Sequence, residues 1–316
     1  MHPNVTLTRP VFVDQITALQ QRCQLTLGDK IEAYTEAELI ALLANAQGAI
    51  ISLREPITAR VLDACPQLKV ISNIGVGYNN IDVAACTERG VVVTNTPDVL
   101  TQTTADFAWA LLMAAARRLP EAERFLRDGK WKHWNLDQLA GKDIYGATLG
   151  IIGMGRIGAA IAARAAGFGM TVQYHNRKPS DDAISASYCE TLNELLTSSD
   201  YVVLVVPYTP ATHHMIDAAQ IALMKPDAVL INIARGGVVN DAALIAALKQ
   251  GHLHSAGLDV FEGEPALNPD FLSIPNVVLT PHIASSSRVT RRAMAQLAID
   301  NCLAVLAGKP ALTAVN

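Results

Sequence analysis

Residues 147–158 have the sequence Ala-Thr-Leu-Gly-Ile-Ile-Gly-Met-Gly-Arg-Ile-Gly. The first half is a short apolar run that predicts a buried strand, and the spaced glycines of the second half follow it directly. Residues 159–166 are rich in alanine and favour a helix. A strand, a Gly-x-Gly-x-x-Gly turn and a helix in this order predict a loop that binds the pyrophosphate of a dinucleotide at the amino terminus of the helix.

Each glycine has its own role in such a loop. Gly153 permits the tight turn, Gly155 lets the backbone approach the pyrophosphate, and Gly158 lets the helix pack against the strand. Arg156 and Ile157 lie between the last two glycines and complete the predicted cofactor-binding loop.

The end of the next predicted strand indicates which dinucleotide binds. Residues 171–175 are followed by Asn176, Arg177 and Lys178, where the NAD pattern has an acidic residue for the ribose 2′-hydroxyl. Without that acid nothing repels a 2′-phosphate, and the guanidinium and ammonium groups can bind one. The sequence therefore predicts NADP(H) as the preferred cofactor, with NAD(H) possible. The alternative is that Arg177 and Lys178 are only exposed loop residues.

Predicted strands and helices alternate on both sides of the glycine loop, which indicates parallel βαβ units. At 316 residues the chain exceeds the usual size of one hydrophobic core, so we expect two doubly wound α/β domains. An apolar helix over residues 100–118 is expected to bridge them, and an amphipathic helix over 288–307 to return to the first. Besides 148–152 and 171–175, strands are predicted at 4–8, 49–53, 69–73, 91–95, 201–206, 228–233, 255–260 and 276–279.

Composition excludes several classes of protein. Half of the residues are apolar and 17% are charged, as in a packed globular protein. The net charge of −4 and the lack of a Lys/Arg run argue against a nucleic-acid partner. Neither a membrane-spanning run nor a signal peptide is evident, so we expect a cytoplasmic protein with no membrane partner. The five scattered cysteines predict buried thiols, and the adjacent His213 and His214 would point apart, so no metal site is predicted.

A second pair of glycines has a different predicted role. Residues 75–80 have the sequence Gly-Val-Gly-Tyr-Asn-Asn after a strand, but Asn80 stands where a third glycine should be, which excludes a second dinucleotide site. Successive backbone amides around two glycines can form a concave nest for a small anion such as a substrate carboxylate. A simple turn explains the same glycines equally well.

Three polar residues follow successive strands late in the chain, at the sheet edge where open α/β sheets bind ligands. Histidine, here His282, is suited to give or take a hydroxyl proton while a hydride moves. The planar donor fork of Arg235 suits a carboxylate and an adjacent carbonyl oxygen. A carboxylate such as Glu264 beside an imidazole favours its protonated form. These three residues are the predicted catalytic set.

The order and spacing of these motifs resemble the D-isomer-specific 2-hydroxyacid dehydrogenase family. The resemblance rests on the glycine loop and on residues 232–237, 256–265 and 280–283, and it covers nearly the whole chain. It implies an NAD(P)-dependent dehydrogenase in which Arg235 binds the carboxylate and keto oxygen of the substrate. It further implies that Glu264 pairs with the imidazole and that His282 is the proton donor in reduction.

The resemblance also implies further contacts and a domain plan. Val76 and Gly77 match the carboxylate-binding loop of the family. A Rossmann domain, residues 99–287, is implied to be inserted into a flavodoxin-like substrate domain, residues 1–98 plus 288–316. Positions that contact the cofactor are matched by Thr104, Pro207, Thr212, Ala234, Asp259, near the nicotinamide amide, and Ala284.

Within the family, residues 129–134 and the Asn176 end are similar to glyoxylate/hydroxypyruvate reductases and related 2-ketogluconate reductases. In that group the segment around Trp134 reaches the active site of the partner subunit, so the resemblance implies a homodimer with Trp134 at the substrate. The alternative is a surface or core aromatic. Arg54 departs from the small or polar residue expected opposite the substrate. It either contacts a second polar group of the substrate or pairs with Glu55 in solvent.

The leading hypothesis is NADPH-dependent reduction of a short 2-keto acid, glyoxylate or hydroxypyruvate. Another D-2-hydroxyacid dehydrogenase activity, such as 2-ketogluconate reduction, is the alternative within the family. A phosphoglycerate dehydrogenase is disfavoured because the chain lacks room for a regulatory domain. An NAD(H)-sensing interaction protein of the corepressor type, which keeps the same Arg, Glu and His, is disfavoured because no tail and no acidic ribose ligand are present.

Overall fold

The computed structural model describes residues 2–181 and 185–316. The chain forms two compact units, Met1–Leu100 with Ser286–Asn316 (unit 1) and Thr101–Ser285 (unit 2). Each unit contains one parallel sheet. The predicted domain boundaries, after residues 98 and 287, each lie two residues from those of the units.

Unit 1 is built on a five-stranded sheet in the order β2-β1-β3-β4-β5, the flavodoxin-like order. The inner strands β3 and β4 are buried along their whole length; β3 is apolar throughout, whereas β4 ends in the buried polar residues Ser72 and Asn73. The strands are β1 (Asn4–Leu7), β2 (Gln24–Leu27), β3 (Gly48–Ile51), β4 (Val70–Asn73) and β5 (Val92–Thr94). The helices between them are α1 (Val13–Gln20), α2 (Glu36–Leu43), α3 (Ala59–Ala64) and α4 (Val83–Glu88).

Side chains fix where these helices begin. Thr35 and Glu38 form a reciprocal capping box at the start of α2, and Thr58 and Asp82 cap α3 and α4. Strand β2 was not predicted from the sequence. This strand lies at the edge of the sheet and is mostly exposed, so it lacks the apolar run that marks an inner strand.

Unit 2 has seven strands in the order β12-β11-β10-β9-β6-β7-β8. Counted from β6, this is the Rossmann order extended by one strand, so both units are doubly wound α/β structures, as predicted. The two-residue strand β8 was missed, because such a short edge strand carries no periodic pattern. The strands are β6 (Thr148–Ile152), β7 (Thr171–His175), β8 (Ser187–Tyr188), β9 (Tyr201–Leu204), β10 (Val229–Asn232), β11 (Ser255–Leu258) and β12 (Val277–Leu279).

Both faces of this sheet are covered by helices. Along β9, Val203 packs into one apolar cluster, and Val202 and Leu204 pack into another on the opposite face. The helices of unit 2 are α5 (Thr101–Ala116), α6 (Leu119–Arg127), α7 (Arg156–Ala165), α8 (Leu192–Ser198), α9 (Ala218–Leu223) and α10 (Asp241–Lys249).

The helix expected to bridge the domains, α5, is a helix of unit 2. It packs against α7, β10 and β11, and the indole N–H of Trp109 donates to the carbonyl of Ile161 at 3.0 Å. The last helix, α11 (Arg288–Leu306), packs on β3, β4 and β5 of unit 1, in agreement with the predicted return of the chain.

Two expectations from composition can be compared with the fold. All five cysteines are buried and free, as predicted. Within the described residues, no helix is long and apolar enough to cross a membrane, and no three His, Cys, Asp or Glu side chains form a metal-binding group.

Candidate active site

The glycine loop joins β6 to α7 and has the geometry that a pyrophosphate needs. Gly153 has a φ of +105°, and a Cβ there would lie 2.9 Å from the carbonyl carbon of Val205. A Cβ on Gly158 would lie 2.2 Å from the carbonyl oxygen of Gly153. The protein itself therefore requires both glycines.

Gly155 differs from the other two glycines. A Cβ there would meet no protein atom within 4 Å, and as the N-cap of α7 it makes no side-chain hydrogen bond to the first helical amides. The space above it is open, and the uncapped amides of the first turn can bind an anion. The loop therefore fits the pyrophosphate of a dinucleotide.

The segment after β7, residues 176–180, is anchored at both ends. The hydroxyl of Tyr188 donates to the Asn176 carbonyl at 3.1 Å, and the Ser180 N–H donates to the Tyr174 hydroxyl at 3.0 Å. The side-chain oxygen of Asn176 accepts the N–H of Met154 at 2.7 Å, so this residue ties the segment to the glycine loop. Arg177 and Lys178 are exposed on this anchored segment.

Other predicted cofactor positions lie in unit 2. The hydroxyl oxygen of Thr104, at the start of α5, is buried and has no hydrogen-bond partner among the described residues. Such an orphaned donor fits a site that a ligand completes. The Thr212 hydroxyl closes the loop after β9 by donating to the Pro207 carbonyl at 2.8 Å. Ala234 and Ala284 are buried at the ends of β10 and β12.

The structure brings two of the three predicted catalytic side chains into contact. Nδ1 of His282 lies 2.8 Å from Oε2 of Glu264, and the Phe261 N–H donates to Oε1 of the same carboxylate at 2.8 Å. Nε2 of His282 has no hydrogen-bond partner in the part of the chain that the structure describes. The imidazole is therefore held on one side and can offer its other nitrogen to a substrate.

Arg235 follows β10, and its Nη1 donates to the carbonyl of Ala234 at 2.7 Å. Burial lowers the pKa of Arg235 and the charge of Glu264 opposes this, but a guanidinium stays protonated in proteins. Burial alone would raise the pKa of Glu264. The hydrogen bond and charge of His282, the Phe261 N–H and the charge of Arg235 outweigh burial, so the pKa of Glu264 is lowered and its carboxylate form is favoured.

Asp259 positions the His282 turn, a role that was not predicted from the sequence. Its fully buried carboxylate accepts hydrogen bonds from the Thr280 hydroxyl at 2.7 Å and from the N–H groups of Ile283 and Ala284 at 2.8 Å each. Its carbonyl accepts the N–H of His282, a residue with a φ of +53°. Burial raises the pKa of Asp259, and the hydrogen bonds oppose that rise. Asp259 thus holds the turn on both sides of the imidazole.

The loop 75–77 of unit 1 turns its carbonyl groups inward. Its three carbonyl oxygens accept hydrogen bonds from the Thr96 N–H and from the side-chain amides of Asn95 and Asn73, at 2.8–3.0 Å. Within residues 2–181 and 185–316, the N–H groups of the last two loop residues have no hydrogen-bond acceptor. This arrangement suits an anion nest better than a simple turn.

The structure excludes one of the two interpretations of Arg54. Glu55 is fully buried, and its carboxylate accepts hydrogen bonds from Arg9 at 2.8 Å and from the N–H of Ser52 at 2.7 Å. Pairing of Arg54 with Glu55 in solvent is therefore wrong. The exposed guanidinium of Arg54 donates instead to the carbonyl of Ile31 at 3.2 Å.

Residues 119–145 carry an unusual number of exposed apolar side chains. No residue of α6 is buried, and Trp134 is 73% exposed, so its interpretation as a core aromatic is wrong. The other large exposed apolar side chains of this segment are Leu119, Leu126, Trp131, Leu136 and Tyr145.

The chain is similar in sequence to known proteins over its whole length. The family model "D-isomer specific 2-hydroxyacid dehydrogenase, NAD binding domain" matches residues 109–284. The chain is 45% identical to a glyoxylate reductase of Thermococcus onnurineus, over 100% of this chain and 96% of the relative. It is 43% identical to glyoxylate/hydroxypyruvate reductase B of Erwinia tasmaniensis, over 100% of this chain and 99% of the relative.

Solved structures are similarly close. A protein of Thermus thermophilus superposes with a TM-score of 0.93 at 42% identity, covering 99% of this chain and 100% of the other. The NADPH-dependent glyoxylate/hydroxypyruvate reductase of Sinorhizobium meliloti, solved with NADP and malonate, superposes with a TM-score of 0.89 at 37% identity. That match covers 100% of this chain and 97% of the other.

Proposed function

The chain belongs to the D-isomer specific 2-hydroxyacid dehydrogenase family, and from this premise we propose that it reduces glyoxylate and hydroxypyruvate with NADPH. Membership makes it an oxidoreductase with an NAD-binding domain of the Rossmann type. The names of its relatives support the substrate class. The observation that carries the proposal is the 2.8 Å contact between His282 and Glu264 at the carboxyl edge of the sheet that also presents Arg235.

In the proposed reaction, the protonated imidazole of His282 gives the proton on Nε2 to the keto oxygen as the carbonyl carbon is reduced. When bound, the reduced nicotinamide supplies the hydride. Glu264 holds Nδ1 and stabilises the imidazolium form that donates the proton. Arg235 binds the substrate carboxylate and polarises the carbonyl through its donor fork.

We assign the small-anion nest to the amides of Val76 and Gly77, which suit a substrate carboxylate. Arg54 has an exposed guanidinium that a second polar group of a longer 2-keto acid can contact. Both assignments concern binding, so their loss is expected to raise KM more than it lowers kcat.

Preference for NADPH rests on Arg177 and Lys178, two exposed cations on a segment anchored at both ends. Anchoring reduces the entropy lost when these side chains bind a 2′-phosphate. Asn176 acts through its hydrogen bonds to the glycine loop. The remaining cofactor residues of the proposal are Thr104, Gly153, Gly155, Arg156, Ile157, Gly158, Pro207, Thr212, Ala234, Asp259 and Ala284.

A homodimer is proposed on the exposed apolar side chains of residues 119–145. Burial of these side chains against a second copy would remove a large apolar surface from water. Trp134 is then placed to contribute to the substrate site of the partner subunit. Sedimentation of the protein and of Trp134→Ala, combined with KM for glyoxylate, tests this; a wild-type monomer with full activity contradicts it.

Initial rates with a panel of substrates test the proposed reaction. Glyoxylate, hydroxypyruvate, 2-ketogluconate and acetaldehyde are each assayed with NADPH and with NADH. We expect the highest kcat/KM for glyoxylate or hydroxypyruvate with NADPH. Equal turnover of acetaldehyde, which has no carboxylate, would remove Arg235 from substrate binding, and a marked preference for NADH would overturn the cofactor assignment.

A further inference from the structure

Beside the catalytic pair, unit 2 contains a second cluster of titratable side chains. Nε2 of His214 lies 2.7 Å from Oε1 of Glu262. The Glu262 N–H donates to Oδ2 of Asp241 at 3.1 Å, and the Asp241 N–H donates back to Oε1 of Glu262 at 3.4 Å. These residues, the His214–Glu262–Asp241 cluster, come from the segments that follow β9, β11 and β10, respectively.

The cluster joins the turns that carry two proposed catalytic residues. Glu262 lies two residues before Glu264 in the turn 261–264, and the His214 N–H donates to the carbonyl of Gly237, two residues after Arg235, at 2.7 Å. The two turns touch directly, since a Cβ on Gly236 would lie 1.7 Å from the carbonyl oxygen of Phe261. His214 and Glu262 are therefore joined to the two turns that carry Arg235 and Glu264.

The cluster is also coupled to the catalytic pair by charge. Burial is the largest cause that raises the pKa of Asp241 to about 6, and the negative charges of Glu262 and Glu264 add to it. The Glu262 N–H and the charge of His214 act in the opposite direction. Asp241 consequently changes its charge within the pH range in which such an enzyme works, and that charge is felt by Glu264.

Further titratable side chains lie around the cluster. The loop after β9 contributes His214 and also Tyr208, whose hydroxyl lies 3.2 Å from His213. The rings of His213 and His214 stack at 3.9 Å, so the prediction that these two side chains point apart is wrong. The turn 261–264 contributes its two glutamates. Nearby, Asp217, the N-cap of α9, accepts a hydrogen bond from Asn240 at 3.0 Å, and Arg235 acts on Glu264.

We propose that His214, Glu262 and Asp241 are positioning residues that hold the Glu264 turn and keep the Glu264–His282 pair protonated to higher pH. The inference deepens the proposed function, since it rests on His282 as proton donor. When Asp241 ionises, the added negative charge makes it harder for the pair to lose its proton. Reduction needs that proton, so the active form persists further into the alkaline range.

Asp241→Asn tests the electrostatic part with little change of shape, because the amide oxygen can still accept the Glu262 N–H. The pair is titrated by NMR on histidine-labelled protein, with His282→Gln to assign the signal, and kcat for glyoxylate is measured from pH 5 to 9. At about pH 5 the variant and the wild type should nearly coincide, because Asp241, with a pKa of about 6, is then mostly neutral in the wild type. At higher pH, we expect the NMR midpoint and the alkaline limb of kcat to move to lower pH by about 0.3 unit or more.

Two substitutions of His214 test its role in positioning the Glu264 turn. His214→Phe should lower kcat about tenfold with an unchanged Kd for NADPH, since it loosens the turn, and His214→Gln should recover part of this because its amide can donate to Glu262. Glu194→Gln is the matched control: it removes a carboxylate from the capping box of α8, remote from the catalytic turns. In this variant the NMR midpoint of the pair and the alkaline limb of the kcat profile should be unchanged.

The outcomes separate this inference from the proposed function. An NMR midpoint that is the same in Asp241→Asn and in the wild type overturns the electrostatic role, whatever substrate the enzyme uses. Equal loss of kcat in His214→Phe and His214→Gln overturns the positioning role. Failure of glyoxylate as a substrate, with the NMR shift present, contradicts the proposed function and supports the cluster.

Discussion

The glycine loop and the His282 turn lie at the carboxyl edge of the same sheet, but they consist of different chemical groups. At the glycine loop, neutral backbone amides face an open space, and glycines keep side chains out of it. At the His282 turn, two carboxylates, those of Asp259 and Glu264, hold the backbone and the imidazole. The difference teaches that the proposed anion site consists of groups that do not titrate, whereas the proposed proton donor and its partner are groups that do.

Among the tests of that contrast, His282→Gln should have the largest effect. Loss of the proton donor should lower kcat about 1000-fold, while the Kd for NADPH stays within about twofold, because the amide cannot deliver a proton at neutral pH. Steady-state rates and fluorescence titration with NADPH measure the two quantities. His252→Gln, which changes a histidine bonded to the Ile221 carbonyl, is the control. Weakened NADPH binding in His282→Gln would show that the His282 turn also contributes to cofactor binding.

Glu264→Gln should have the next largest effect. The variant keeps the shape but removes the charge that stabilises the imidazolium, so kcat at pH 7 should fall about 100-fold. Because the negative charge of Glu264 favours the protonated donor, the alkaline limb of kcat should move to lower pH in the variant. A pH profile of kcat from pH 5 to 9 measures it. An unchanged profile would show that Glu264 only orients the ring.

Two alanine substitutions sharpen the contrast inside the glycine loop. Gly158→Ala places a Cβ against the Gly153 carbonyl and should lower the free energy of unfolding by about 2 kcal/mol. Gly155→Ala meets no protein atom, so its unfolding free energy should change by less than about 1 kcal/mol. NADPH affinity should nevertheless fall about 30-fold in Gly155→Ala, because the methyl group occupies the space of the ligand. Urea unfolding and NADPH titration distinguish the two; normal NADPH affinity in Gly155→Ala would contradict the open-site interpretation.

Arg177→Ala should give the smallest change. Without the guanidinium, kcat/KM for NADPH should fall about tenfold, roughly 1.4 kcal/mol, and kcat/KM for NADH should stay constant. Rates with both cofactors at low and at high salt measure this, since an exposed contact is screened by salt. Lys249→Ala, an exposed lysine paired with Asp270, is the control. An equal loss for both cofactors would mean that Arg177 does not contact the 2′-phosphate.

Most of the regular structure could be predicted because it is encoded over short spans. The apolar run before Gly153 and the alanine-rich run after Gly158 correspond to β6 and α7. The strands β2 and β8 were missed because edge strands need not be apolar. One interpretation of Arg54, its pairing with Glu55, was wrong. Glu55 pairs instead with Arg9, which lies 46 residues away in the chain and could not be identified from neighbouring residues.

By itself, the sequence determined the two doubly wound units, the position of the glycine loop and the residue types of the proposed catalytic set. These depend on hydrophobic periodicity and on backbone freedom at single glycines, both of which are properties of a few neighbouring residues. Only the tertiary structure decided that Asp259 holds the His282 turn and that His214, Glu262 and Asp241 form one cluster. Such contacts join residues about 20 to 50 positions apart, and they form only when the packing of the strands brings their ends together.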